Sequence, residues 1–578
     1  MVKQNSRQLW AVVAGAALVL LAAAPICGQD GKVLFSAMED ELARSMAQLQ
    51  MENLDKPYFI AYTIDDFQDL KINGSLGALT GSDVARSRFL TVDVRVGDYA
   101  LDNSNFVSGY YFGTNPRPMA LDNDYDAVRH EIYLMTDAEY KSALQTLSKK
   151  KAYFQARVVK DRPEDFFRLP PNTIIDKEEA FDLDRARFEE IIRAASAVFR
   201  DYPTINSSNI ELKAAVTNQY FVASNGSRTL RGDRLYVLRL TMTGIGPDGE
   251  NVTDGDRVIV NAANDIPDRE QLVRWAKDNA ERMKALVAAG TVEEYTGPVI
   301  FTGDAAGEFF RQLFIKNVSN NPPPVYENEQ MAAISPNPEF GNKIKRRVLP
   351  AFFDVYDDPT ATQVDKENVV GAYDVDDAGG IPVKIQLVDK GKLVGLPIGT
   401  APTKKIKEPN GHARGASGKQ IAARPSNLII TSGDQVPFDR LKQTMLELCQ
   451  DVDLEYGLVI RKVAQTDATR QLLSLLMGGG QSGQQSTLEP ALEAYKVYPD
   501  GREEPVHSLE FVGVTARTLL DILQTGDQRQ VYNYLIGDDY EMPVSIVCPA
   551  ILVEEMELKK SEEKTAKPPV LPSPLAGK

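Results

Sequence analysis

Three histidines, His130, His412 and His507, are the whole supply of imidazole in 578 residues. They stand far apart, and none has a second histidine at metal-ligand spacing. His130-Glu131 imitates the start of a zinc motif, in which two histidines on one helix hold the metal and a glutamate accepts the proton of bound water. No second histidine follows it. The alternation through Glu131, Ile132, Tyr133 and Leu134 reads as a strand, so a structural histidine is expected there. Gly480-Gln481-Ser482-Gly483 lacks the spacing of a nucleophile elbow, and no local signature supports a Ser-His-Asp triad or a Cys548-His pair. The acidic clusters Asp354/Asp357/Asp358 and Asp374/Asp376/Asp377 offer oxygen donors without the spaced loop of a calcium site. Turn-forming and solvated roles are expected of them. The basic run Lys343, Lys345, Arg346 and Arg347 reads as a solvated face.

Composition narrows the partners. A net charge of -16 argues against nucleic acid, which needs clustered Lys and Arg, and against anionic membrane surfaces. At 43% apolar and 25% charged residues the chain can build a sizeable core. Lys3 and Arg7 precede an uncharged run from Leu9 to Ala24, the pattern of a signal peptide over residues 1–28 cleaved after Gly28. The mature protein is then expected outside the cytoplasm, periplasmic or secreted, with no membrane segment left. Cys449 and Cys548 would remain in an oxidising compartment, where pairing is open to them. Cys449 follows Leu446 and Leu448 in a helical pattern and reads as a buried free thiol.

The periodicities give an α+β chain. Leu34, Met38, Leu42, Met46 and Leu49 mark an amphipathic helix, and 58–64 and 89–96 alternate as strands. Thr136 with Glu139 has the form of a capping box before a helix carrying Tyr140, Leu144 and Leu147. A second helix is predicted over 183–200 and strands over 205–262, with Asp268 capping a helix to about Ala289. An N-terminal α/β-mixed domain over 29–290 is expected to give way to a β-rich domain over 291–558 and a disordered tail over 559–578. Within that second domain, helices are predicted from Ala305 to Val318 and from Phe438 to Asp451. The low-complexity stretch from Met477 reads as a surface loop.

GPVIFTGDAAGEFFRQLFIK, Gly297 to Lys316, resembles the strand, loop and helix that carry the zinc motif in the TldD/PmbA metallopeptidase family. RVLPAFFDVYDDPT, ARPSNLIITSGDQ, EYGLVIRKV, AYKVYPDGREEPV and MPVSIVCPAILVEEMEL resemble that family's later segments, in the same order. The resemblance covers roughly residues 200 to 558. In active members the helix reads HExxxH and a cysteine near the C-terminus is the third zinc ligand. Ligands five apart diverge on an ideal α-helix, so a widened turn is needed to converge them.

The matching positions here are Arg311, Gln312 and Lys316, and the cysteine position matches Ile546, two residues before Cys548. Arginine offers no lone pair and an amide is no general base. Two like charges about 4 Å from a cation would each cost about 4 kcal/mol at an effective dielectric of 20. No metal or other cofactor is therefore expected, zinc belonging to the active relatives. The resemblance implies a PmbA-like, non-catalytic subunit that binds unfolded peptide or acts as a scaffold beside a TldD-like catalytic paralogue or a second copy of itself. The alternative is an active peptidase of the same family using atypical ligands. Arg414, Arg424 and Asn427 are the residues expected to line the peptide groove, since Arg recognises carboxylates and extended peptides bind by added-strand hydrogen bonds.

Overall fold

A computed structural model describes residues 29–108, 116–157, 162–247, 249–319, 324–328, 338–415, 421–465, 486–536, 542–561, 571 and 573–575. The signal peptide expected over 1–28, the surface loop expected from Met477 and most of the tail expected over 559–578 lie outside these residues. Long hairpins build the first sheet. Pro57–Ser75 pairs with Ala78–Val96 on one side and Ile205–Ala223 on the other, and Arg228–Ile245 and Asn251–Val260 continue it, all antiparallel. The strands run well past 64 because the alternation persists through polar residues. Even-numbered Ile60, Tyr62, Ile64, Leu70 and Ile72 face one way and odd-numbered Asp65, Phe67 and Asp69 the other.

Every helix of this half packs on the even face. Gln29–Gln48 and Tyr125–Ala156 cover one end, around Ile60, Tyr62, Val92 and Val222. Arg185–Ala197 and Arg269–Val287 cover the other, around Leu70, Leu212, Leu238 and Met242. Asp268 caps the last of these with a full capping box. Burying each large apolar side chain stabilises this layer by roughly 1.5–3 kcal/mol.

The sequence reading of 131–139 is corrected. Tyr125–Ala156 is one helix, capped by Asp124, which accepts from the Ala127 N–H at 2.9 Å. Val128, Ile132, Met135, Tyr140, Ala143 and Leu147 form its buried stripe, and this three-to-four spacing overrides the short alternation that resembled a strand. Thr136 is no cap; its buried hydroxyl lies 2.7 Å from the Ile132 carbonyl one turn back. His130 sits exposed on this helix.

The second half is a 12-stranded mixed sheet. Met542–Lys560 is its spine, pairing with Ile522–Ile536, Asn427–Ser432, Leu509–Val512 and Glu294–Phe301. The last pairing closes a ring with Gly457–Val463 and Ala491–Val497. Helix Asp304–Phe310 follows Glu294–Phe301 and packs on this sheet, with Phe309, Leu313 and Phe314 fully buried. Phe438–Asp451 covers the opposite side with Leu441, Met445 and Cys449. Cys449 and Cys548 are both buried and unpaired. Among the described residues no helix is long and apolar enough to cross a membrane.

The acidic clusters also depart from the sequence reading. Asp357, Asp376 and Asp377 are buried rather than solvated. Asp357 accepts from the Ser426 N–H and faces His412, 2.9 Å from its Nε2. Asp376 does form a turn, accepting from the N–H groups of Ala378 and Gly380. Each is held inside because backbone or side-chain donors replace its water.

Candidate functional site

The helix that starts at Asp304 widens into a π-helical turn over Arg311–Ile315 before ending at Lys316–Val318. A widened turn of this kind is what convergence of side chains at positions 311, 312 and 316 requires. In this chain they do not converge. Arg311 and Gln312 turn inward, while Lys316 is exposed to solvent and stays out of the buried cluster.

Glu308, almost fully buried, is the centre. Its Oε2 accepts from Arg311 Nε at 2.7 Å and from Gln312 Nε2 at 2.7 Å. Its Oε1 accepts from the hydroxyl of Tyr532. That hydroxyl in turn accepts from Arg257 Nη2 and from Gln465 Nε2. Gln312 spends its whole amide: Nε2 also donates to the Ala464 carbonyl at 2.9 Å, and Oε1 accepts from the Glu489 N–H at 2.9 Å. Gly307 lets the helix approach this closely, because a Cβ there would lie 2.3 Å from the Tyr532 ring.

Electrostatics agree with the geometry. Burial alone would lower the Arg311 pKa, but Glu308 and the two tyrosines beside it hold the guanidinium above its ordinary value. Burial, then Glu308, pushes the Tyr532 hydroxyl well above the usual phenol range. Ile546 stands opposite Tyr532 in the strand pair, so the position matching the family cysteine does reach this cluster. Cys548 stands opposite Gln530, packed in the core, and burial with Asp304 nearby pushes its thiol up to about 12. The residues present do not fit a zinc ion. Two inward side chains are a cation and a fully bonded amide, and the nearest thiol keeps its proton.

A cleft opens beside the cluster, between the odd face of the first sheet and the second half of the chain. Asp65, Gln219 and Arg231 lie in one row across three strands, and Phe67, Thr217 and Asp233 in the next. Opposite them stand Val370–Ala372, Arg414, Gly415, Met542 and Pro543. The enclosed volume is about 120 Å³, room for a side chain rather than for a large cofactor. Buried ion pairs tie the halves together: Asp254 accepts from Lys462 at 3.1 Å, and Arg282 lies 3.4 Å from Glu493.

The three residues expected to line a groove separate. Arg414 lines the cleft. Arg424 sits mostly buried on the neighbouring strand, Ala422–Ala423 having just paired with Ala413–Arg414. Asn427 is corrected to an internal brace. It is fully buried, donates to the carbonyls of Asp358 and Ala361 and accepts from the Gly371 N–H. Glu308, Tyr532, Arg257, Arg231 and Asp377 were not read from the sequence. The signal for the cleft was present in the odd-numbered polar residues of the first-sheet strands; the cluster had none, because it joins segments more than 200 residues apart.

Residues 294–560 match the family model of the PmbA/TldA metallopeptidase C-terminal domain. No curated protein sequence matches the chain. Solved structures share its fold at low identity. A protein from Thermotoga maritima described as a modulator of a DNA gyrase is 15% identical with a TM-score of 0.56, covering 90% of this chain and 99% of that one. TldE from Thermococcus kodakarensis is 11% identical, TM-score 0.55, over 90% and 99% of the two chains. A protein from Bacteroides thetaiotaomicron described as a modulator of DNA gyrase is 13% identical, TM-score 0.55, over 92% and 98%.

Proposed function

Residues 294–560 belong to the PmbA/TldA metallopeptidase C-terminal domain family, and from that premise we propose that the chain is a TldD/PmbA-type protein, an exported, non-catalytic subunit that holds unfolded peptide between its two sheets. One observation carries the reading. Where active relatives place a zinc ligand and a general base, Arg311 and Gln312 are bound to Glu308 in a closed hydrogen-bonded cluster. The guanidinium supplies inside the protein the positive charge that a metal would bring. The adjoining cleft keeps its opening and its mixed charges, so ligand binding outlives hydrolysis. Its partner is an intact catalytic paralogue or a second copy of the chain, as the resemblance to PmbA-type members implies.

The test uses mature protein purified free of paralogues. Bound zinc is expected far below one ion per chain, and an unstructured peptide is expected to bind without cleavage, with or without chelator. Stoichiometric zinc, together with chelator-sensitive cleavage lost in Cys548→Ser, would instead establish a peptidase with atypical ligands. Export is tested separately. Native protein is expected to begin near residue 29, and a mature chain that begins at Met1 would refute it.

A further inference from the structure

Asp377 faces more positive charge than one carboxylate can neutralise. It accepts from Arg231 Nη1 at 2.7 Å and from the Gly415 N–H at 2.6 Å, and stands 3.6 Å from Arg414 Nε. Arg231 has a second carboxylate in Asp233, at 2.7 Å. Among the described residues Arg414 has only the more distant Asp377, which it shares with Arg231. It is 8% exposed, its guanidinium lies 4.0 Å from the centre of the Tyr373 ring, and its Nε has no hydrogen-bond partner among the described residues. Arg424 repeats the situation. Its Nε is likewise buried without a partner among the described residues; burial pulls its pKa down, and the carboxylate of Asp377 only partly opposes this. The buried hydroxyl of Tyr534 is a third such group.

Arginine cannot shed its proton to escape burial, so two guanidinium groups with unmet donors are a standing cost unless an anion reaches them. The fork of donors on each suits a carboxylate. Arg414 already lines the cleft wall. The far side of the cleft carries Asp65 and Asp69 on Pro57–Ser75 together with Lys213, two strands from Arg231 and hence about 10 Å away.

We propose that Arg414 and Arg424, with the Tyr534 hydroxyl, form a carboxylate subsite of the cleft that anchors a peptide by its C-terminal carboxylate or by an aspartate or glutamate side chain. The proposal rests on the peptide-binding reading above and deepens it. The subsite lies between the cleft and the Glu308 cluster, since Tyr534 stacks on Tyr532 and carries Arg311 over its ring.

The experiment measures fluorescence anisotropy of labelled unstructured peptides on the full mature chain. Four peptides share one sequence: a free acid with one internal Glu, its C-terminal amide, its Glu→Gln form, and the form with both changes. The doubly neutralised peptide is expected to bind roughly tenfold or more weakly, a difference of one charge-assisted contact. Whichever single change accounts for the loss identifies the source of the carboxylate. Arg414→Gln and Arg424→Gln should each shrink the affinity difference between the free acid and the doubly neutralised peptide. Arg414→Lys should restore it only in part, because a lysine is a point charge. Thermal melts report folding, and should Arg414→Gln fail to fold, Arg424→Gln carries the test. If all four peptides bind alike and neither substitution matters, the subsite is wrong and peptide binding stands. If no peptide binds but acetate or citrate raises the melting temperature of the wild type and not of Arg424→Gln, the subsite stands and the peptide reading falls. No response to either class of probe overturns both.

Discussion

Glu308→Ala is expected to destabilise the folded chain by about 3–5 kcal/mol, the loss seen when one partner of a buried ion pair is removed. The carboxylate holds three donors at once: the Arg311 guanidinium, the Gln312 amide and the Tyr532 hydroxyl. Deleting it leaves a partly buried cation and two buried polar groups without their acceptor. Removing the pair together should hurt less than removing the acid alone. Glu308→Leu combined with Arg311→Met takes away both charges at similar volume, so its cost is expected below that of Glu308→Ala. A double-mutant cycle by chemical denaturation reads this directly, provided the denaturant slope is unchanged. A single-substitution loss under about 1 kcal/mol would show that the cluster is not holding the helix.

The second large effect separates two residues of the same helical segment. Phe314→Ala is expected to cost about 3–5 kcal/mol, through lost burial and the cavity left behind. Phe314 is fully buried and meets Phe340 edge-on with centroids 5.7 Å apart. Lys316→Ala, two residues on, should stay within about 0.5 kcal/mol, because the side chain is in solvent. Thermal or chemical melts of the two variants decide the matter. A large loss for Lys316→Ala would mean that this residue reaches the buried cluster after all and that its exposure has been misjudged.

How much could be read beforehand depended on whether the signal was local. Asp268 and Gln271 announce their helix because cap and first turn are neighbours in sequence. Phe309, Leu313 and Phe314 announce a buried face by their spacing. Thr136 and Glu139 carry the same local form as a cap yet sit inside a longer helix, since the stripe from Val128 to Leu147 outweighs one motif. Asp357, Asp376 and Asp377 looked solvated because a cluster of acids gives no hint of the partners that register will bring, such as Arg231 or the Ser426 N–H. The bracing role of Asn427 is hidden from sequence for the same reason: its acceptors, the carbonyls of Asp358 and Ala361, are set by sheet pairing. The Glu308 cluster was beyond reach. It is assembled where the strands holding Arg257 and Tyr532, and the segment at Gln465 just past Gly457–Val463, meet one helix, and no residue type in it is unusual by itself.

The one-sided packing of the first sheet has a consequence for how this protein can change. Along Pro57–Ser75 and Ile205–Ala223, residues that hold the helices alternate with residues that face the cleft. Variation at 65, 67, 69, 215, 217 and 219 therefore alters what the cleft meets, while the helix-bearing face at 60, 62, 64, 70, 72, 210 and 212 is left as it was. Ligand preference and foldability are written on interleaved positions of the same strands. Such a scaffold can drift in specificity by single substitutions at the half-buried positions 69, 215, 217 and 219, and a library restricted to these should return mostly folded proteins, whereas the buried Asp65 and Phe67 have contacts of their own to lose.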